Sequence, residues 1–205
     1  MTDPTPSALR PGDLAPDFEL PAADGEGTVA LAEYRRRGPV FLAILRGLYC
    51  PFCRRHISRL RPTCEALLAA RIALLGLVVA SPERARQYFG HFPPRFPIAA
   101  APDRATHRAY GLPEVIRTPE SRQEAERSAA ETLRELGLQA PPGQAASVFG
   151  TADGFELTAE DHAEWQRPLQ AVGHFLIGRD GLIRWARVET RITALPNVEE
   201  LLPLV

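Results

Sequence analysis

The chain has 205 residues, enough for one well-buried domain or for a domain carrying an insertion. Its 45% hydrophobic and 24% charged residues are ordinary for a soluble globular protein, and a formal net charge of −1 gives no global pull toward nucleic acid or an anionic membrane. All 24 basic residues are Arg, and three cysteines do not make a disulfide scaffold. No apolar run approaches the ~20 residues needed to cross a bilayer. The N-terminal MTDPTPSALRPGDLAPDF lacks the basic-then-apolar pattern of a secretion signal, so the expected location is cytoplasmic, with no nucleic-acid or membrane partner.

In chain order, residues 1–12 are Pro-rich and polar and predict a flexible arm. APDFEL and GTVALAEY read as short extended pieces, and Leu31–Arg37 as a helical turn. Pro39–Gly47, PVFLAILRG, is an apolar run stopped by glycine, the pattern of a fully buried strand. Beyond the cysteines, Ile57, Leu60, Cys64, Leu67 and Leu68 recur every three or four residues and predict a helix, kinked at Pro62. Ile72–Ala80 predicts a second buried strand. Ser81-Pro82 then opens a helix, serine as N-cap and proline in the first turn. FPIAAAPD reads as a third strand and RATHRAYGL as a short helix ended by Gly111.

Residues 113–166 have a different character. PESRQEAERSAAETLRELG is a polar helix with a narrow stripe at Ala125, Ala129, Leu133 and Leu136, followed by a loop and a second polar segment to Trp165. This insertion reads as a solvated decoration; a lid or partner surface is the alternative. HFLIGRDGLIRWARVE is a hairpin turning at Asp180-Gly181, and NVEELLPL a terminal helix. The whole order predicts an α/β fold, with buried parallel strands first and an antiparallel hairpin closing the sheet.

Chemistry concentrates in Cys50-Pro51-Phe52-Cys53, between a predicted buried strand and a predicted helix. Pro51 suits the first helical turn, where its missing N–H costs nothing. The free N–H groups and dipole of that helix start stabilise a thiolate, and Arg46, Arg54 and Arg55 add positive potential. Each effect lowers a thiol pKa and makes Cys50 the expected nucleophile. Cys53, three residues on, is placed to resolve a mixed disulfide on Cys50. Two unreactive core cysteines are the bland reading. A metal site is another: it needs four ligands, and Cys50, Cys53, His56 and Cys64 are the candidates, but they lie largely on one helix. Cys64 reads as a small buried residue facing the same way as Cys53, or as a backup thiol. His56 reads as solvated among arginines, or as a proton-transfer assistant; His91, His107, His162 and His174 form no usable pattern.

With these pieces in place the chain resembles the thioredoxin-like superfamily, most closely its peroxiredoxin-like branch with an alkyl hydroperoxide reductase/thiol-specific antioxidant (AhpC/TSA, redoxin) domain. PGDLAPDFEL, VFLAILRGLYCPFC, YGLPEVIR and FLIGRDGLIRWARVE carry the resemblance, over residues 11–112 and 168–204. It implies a thioredoxin-like three-layer α/β/α sandwich with a mixed central sheet, spanning one domain over 13–205 with 113–166 inserted before the C-terminal hairpin. It implies an oxidoreductase that needs no cofactor and no metal, with Cys50 in the nucleophilic position, Cys53 in the resolving one, and Arg46, Pro51 and Arg54 around the thiolate. Its partners would be a thioredoxin- or glutathione-type thiol reductant and a disulfide or peroxide. Redoxin-like proteins often pair, which raises a homodimer.

Two departures are visible. Such peroxidases carry P-x-x-x-T-x-x-C, and here Ala43 and Gly47 stand at the Pro and Thr positions, so the hydroxyl that would hold a peroxide is missing. Thioredoxin-type enzymes place a cis-proline just before the late strand, and Gly173 occupies the expected position. Three functions therefore stand open: a thiol–disulfide oxidoreductase, a peroxiredoxin-type thiol peroxidase using the same Cys50, and a non-catalytic or metal-binding module on the same fold.

Overall fold

The computed structural model describes residues 8–25, 27–190 and 198–205. A small antiparallel ribbon, β1 (Glu19–Pro21) with β2 (Thr28–Ala30), leads into α1 (Leu31–Arg37). The body follows as β3 (Val40–Gly47), α2 (Pro51–Ala69), β4 (Ala73–Val79), α3 (Pro82–His91), β5 (Ile98–Ala101) and α4 (Ala105–Ala109). The insertion contributes β6 (Glu114–Val115), α5 (Pro119–Glu135), α6 (Ala145–Thr151) and α7 (Ala159–Gln166). The chain closes with β7 (Leu169–Gln170), β8 (Val172–Ile177), β9 (Ile183–Glu189) and α8 (Val198–Leu201), which runs on into a 3-10 turn.

The central sheet has the order β5-β4-β3-β8-β9, with β5, β4 and β3 parallel and β8 and β9 antiparallel to their neighbours. It is the expected mixed α/β sheet. The apolar runs of β3 and β4 do not alternate in polarity because both sheet faces are covered. Phe41, Ala43 and Leu45 pack with Ile57, Leu60 and Leu67 of α2 and with Tyr88 and Phe89 of α3. Val40, Leu42 and Ile44 pack on the other face against Leu31, Tyr110 and Phe175. Gly181, at φ 86°, forms the hairpin turn expected at Asp180-Gly181.

α2 is not broken at Pro62 but continues through it from Pro51 to Ala69, so the proline sits inside the helix as the expected kink requires. Several expectations are corrected. Leu68 and Leu136 are exposed rather than core, and helix α6 lies where a loop was expected. Residues 1–7 of the expected arm, and Asn197 at the head of the terminal helix, lie outside the described residues; from Leu9 the chain is tied down by Leu9 N–H to Tyr110 O and Gly12 N–H to Ile183 O. Among the described residues no helix is long and apolar enough to cross a membrane.

Candidate active site

β3 ends in an irregularity: its register to β4 shifts between Ile44 and Gly47. This frees the Leu45 carbonyl, which accepts a 2.8 Å hydrogen bond from His107 Nε2 on α4. The same break lies where the chain leaves the C-terminal end of the central strand, past Arg46, toward Cys50. Gly47 is required there, because a Cβ would stand 2.6 Å from Val79 O and 2.9 Å from the Tyr49 ring. No space exists for the threonine absent from this position.

Cys50 is the N-cap of α2 and Pro51 opens its first turn, as expected. The Cys53 N–H donates to Cys50 Sγ at 3.4 Å. Both thiols are buried, Cys50 at 4% exposure and Cys53 at 0%, and both are free. Their acidities are driven apart. A hydrogen bond from the Cys53 side chain, with the Arg46 and Arg54 charges and the Cys53 N–H acting against burial, lowers the Cys50 pKa to about 6. Burial, the same sulfur–sulfur hydrogen bond and the Cys50 charge push Cys53 well above the usual thiol range.

Arg46 is held by two backbone acceptors: its Nε donates to Gln170 O at 2.6 Å, and its Nη2 to Thr190 O. Burial pushes its pKa down, but the charges of the two cysteines outweigh this and leave it above the ordinary value. Arg54 sits differently. Its guanidinium donates to Leu48 O and Gly150 O and makes a bidentate pair with Asp153, at 2.6 and 3.0 Å. It is the last of the influences on Cys50, and its polar contacts fasten the insertion to α2.

The insertion is thus built into the site rather than decorating it. Phe149 of α6 packs on Phe52, with ring centroids 5.0 Å apart. Phe155 lies between two guanidinium groups, Arg54 at 4.4 Å and Arg84 at 4.2 Å. Arg84 of α3 pairs with buried Asp161 of α7. Trp165 meets Tyr49 edge-on at 6.0 Å, and the Arg117 guanidinium stacks on Trp165 at 4.4 Å. Arg104, fully buried, holds Pro168 O and Glu164. A cleft of about 550 Å³ on the outer flank of α2 reaches Pro51, Arg54 and Phe149 but contains neither Cys50 nor Cys53.

His56 is corrected from a solvated residue to a buried one. Its Nε2 lies 3.0 Å from Nε2 of His174 on β8, a pairing that nothing in the sequence spacing signals. Among the described residues, no three His, Cys, Asp or Glu side chains gather into a metal cluster. Cys64 is buried in the same cluster as Cys53, with its thiol toward Arg95 O. Gly173 is also corrected: β8 starts at Val172, so Gly173 lies inside the strand opposite Ile44, and a Cβ there would stand 2.5 Å from the Phe175 ring. Of the expected site residues, Cys50, Cys53, Arg46 and Pro51 converge, with Arg54 behind them on the first turns of α2. Tyr49, Arg104, Arg117, Asp153 and Trp165 are added by the tertiary structure; only Tyr49, beside Cys50, had a positional signal.

Known proteins bear on this arrangement. The model of the AhpC/TSA family matches residues 11–134. Two Mycobacterium tuberculosis proteins (strains CDC 1551 / Oshkosh and ATCC 25618 / H37Rv), provisionally named peroxiredoxins, are each 32% identical over 103 residues, covering 50% of this chain and 64% of theirs. Less than two thirds of those relatives' length is therefore matched. Among solved structures, peroxidoxin BcpB from Mycobacterium tuberculosis superimposes with a TM-score of 0.60 at 13% identity, covering 96% of both chains. The reduced 2-Cys peroxiredoxin of Plasmodium vivax gives 0.59 at 14% identity, covering 95% of this chain and 79% of that one. Thiol peroxidase from Chromobacterium violaceum gives 0.56 at 16%, covering 96% and 88%. At these identities the likeness is one of fold, the thioredoxin-like sandwich.

Proposed function

This chain belongs to the AhpC/TSA family, and from that premise we propose that it is a thiol-dependent oxidoreductase in which Cys50 is the nucleophile and Cys53 the resolving thiol, acting by disulfide exchange. The observation that carries this reading is the N-cap geometry: one thiol of the pair lowered to about 6, its neighbour in the same turn held protonated and donating to it.

The steps follow from that asymmetry. The Cys50 thiolate attacks one sulfur of a substrate disulfide; the other sulfur leaves as thiolate, and Cys50 is held in a mixed disulfide. The Cys50 charge, one of the influences that hold the Cys53 proton on, is then gone. Burial still opposes ionisation, but Arg46 now favours it without a competing anion. Cys53 loses its proton to the departing thiolate, attacks Cys50 Sγ, and releases the second half of the substrate as thiolate. The product is a Cys50–Cys53 disulfide, which an external thiol of the thioredoxin or glutathione type reduces. Pro51 keeps the first turn formed, Arg46 steadies the thiolate, and Arg54 fixes the turn through Leu48 O. The proposal takes residues 13–205 as one redoxin domain with 113–166 inserted, working in a reducing, cytoplasmic compartment.

A second reading, peroxide reduction at Cys50 through a sulfenic acid that Cys53 condenses to the same disulfide with loss of water, is favoured by the family and by Arg46 at the thiolate. The filled space at Gly47 weighs against it. Mixing reduced protein with equimolar peroxide, and separately with equimolar disulfide, while following thiol loss, separates the two. Rapid loss with disulfide and none above a free thiolate's rate with peroxide is expected. Faster loss with peroxide would overturn the preference, and full disulfide reductase activity in Cys50→Ser would overturn both.

A further inference from the structure

Four arginines surround Cys50 and Tyr49, and three of them are occupied. Arg54 is paired with Asp153 and Arg104 with Glu164, while Arg46 is held by two carbonyls and the thiolate itself. The buried Nε of Arg104 also lacks a hydrogen-bond partner, but its charge is paired with Glu164; Arg117, two residues beyond β6, is placed differently. Its Nη1 donates to Trp165 O and its plane stacks on the Trp165 ring, which fixes the side chain. Its Nη2 is buried and has no hydrogen-bond partner. A buried cationic N–H with an empty acceptor position marks where a partner belongs. Trp165, on which Arg117 stacks, meets the Tyr49 ring edge-on at 6.0 Å, and Tyr49 precedes Cys50, which puts the guanidinium on the nucleophile's side of the insertion; the Tyr49 and Cys50 charges oppose the lowering of its pKa by burial. Next to it, Ile116 is 79% exposed and Trp165 43%, an apolar collar beside the charge.

We propose that Arg117 is a specificity-determining residue that receives a substrate carboxylate, so that the site favours disulfides carrying a negative group near the sulfur–sulfur bond. The inference rests on the dithiol reading above. Cys50 attacks the near sulfur as already described, and the carboxylate takes the open Nη2 position while the apolar body of the substrate lies on Trp165 and Ile116. Arg117 takes no part in bond making; it raises the occupancy of the reactive pose for anionic substrates.

The test uses two disulfides of similar size, dithiodipropionate (two carboxylates) and bis(hydroxyethyl) disulfide (neutral), in single-turnover oxidation of the pre-reduced protein. The quantity read is the ratio of the two second-order rate constants, because any change in Cys50 acidity acts on both compounds. Arg117→Gln is expected to lower the anionic-to-neutral ratio about tenfold, Arg117→Lys to retain most of it, and about 0.5 M salt to erode it in the wild type. A ratio unchanged in Arg117→Gln, or equal slowing of both compounds in both variants, would overturn the assignment, since a structural role moves the two rates together. If neither disulfide oxidises the wild-type protein, the dithiol reading itself fails, a result distinct from an unchanged ratio.

Discussion

The strand–helix junction at Cys50 and the insertion over 113–166 reach the same site by opposite routes. At the junction, acidity is made locally: the Cys53 amide and side chain, Arg46 and Arg54 all lie within four residues of Cys50. The insertion contributes nothing local. Asp153 meets Arg54 across 99 residues of sequence, and Trp165 meets Tyr49 from a segment held by the β6–β7 pairing and by Arg104 and Arg117. The reactive group is therefore a property of a short peptide in a helix start. Its cover, its charge balance and its access are properties of the tertiary fold. Loss of the reactive sulfur at the junction should remove the chemistry with little effect on stability, and loss of a packing contact in the insertion should do the reverse.

The largest separation is expected for Cys50→Ser, which should reduce disulfide reductase activity by at least about 10³-fold while leaving the thermal midpoint nearly unchanged. A variant that lost both would mean the thiolate is also a keystone of folding. Asp153→Ala should do the opposite. It leaves Arg54, almost wholly buried, without its carboxylate, and should cost about 2–3 kcal/mol in urea unfolding. The pH profile of Cys50 alkylation, rising through about pH 6, should remain in place, since Cys53 and Arg46 are untouched.

Acid tests a third point, the buried pair on which α2 rests. Burial lowers the His56 pKa to about 4, with Arg59 adding, and that of His174 to about 3, with His56 and then Arg187 adding. The folded state keeps both rings neutral, whereas the unfolded chain takes up protons near pH 6.5. Their contribution is thus intact above about pH 6.5 and is lost as pH falls from there toward 4, adding at most about 1.4 kcal/mol per pH unit for each ring. Urea midpoints measured from pH 7 to 4.5 should fall steadily, and a flat profile over that range would contradict the buried, neutral pair. The smallest effect is expected at Gly47. Gly47→Thr should cost about 1–3 kcal/mol through contact with Val79 O and Tyr49, with no gain in peroxide reduction.

What was legible in the sequence follows the same division. Buried strands announce themselves as apolar runs, a Pro at the first turn announces a helix, and Cys-x-x-Cys between them announces a nucleophile, since all three signals are local. The His56–His174 contact joins residues 118 apart, and no periodicity encodes it. The polar helix α5 reads as solvated because its apolar stripe is narrow; in the structure only Ala129 and Leu133 of it are fully buried, and the rest of that small core comes from Ala145 and Phe149 of α6, a helix whose flanking Gly and Pro residues read as a loop. Gly47 was legible as a missing hydroxyl, but the reason, a carbonyl 2.6 Å from where its Cβ would stand, belongs to the neighbouring strand.

The two sulfurs share one helical turn, joined by the hydrogen bond from the Cys53 amide. A dithiol so placed needs no large displacement to pass from thiolate to mixed disulfide to ring. Solvent viscosity should therefore slow the intramolecular closing step very little, and the step should survive immobilisation of the protein on a solid support. Throughput would be governed by the entry of substrate past Trp165 and Arg117, and by the thiol that restores the pair.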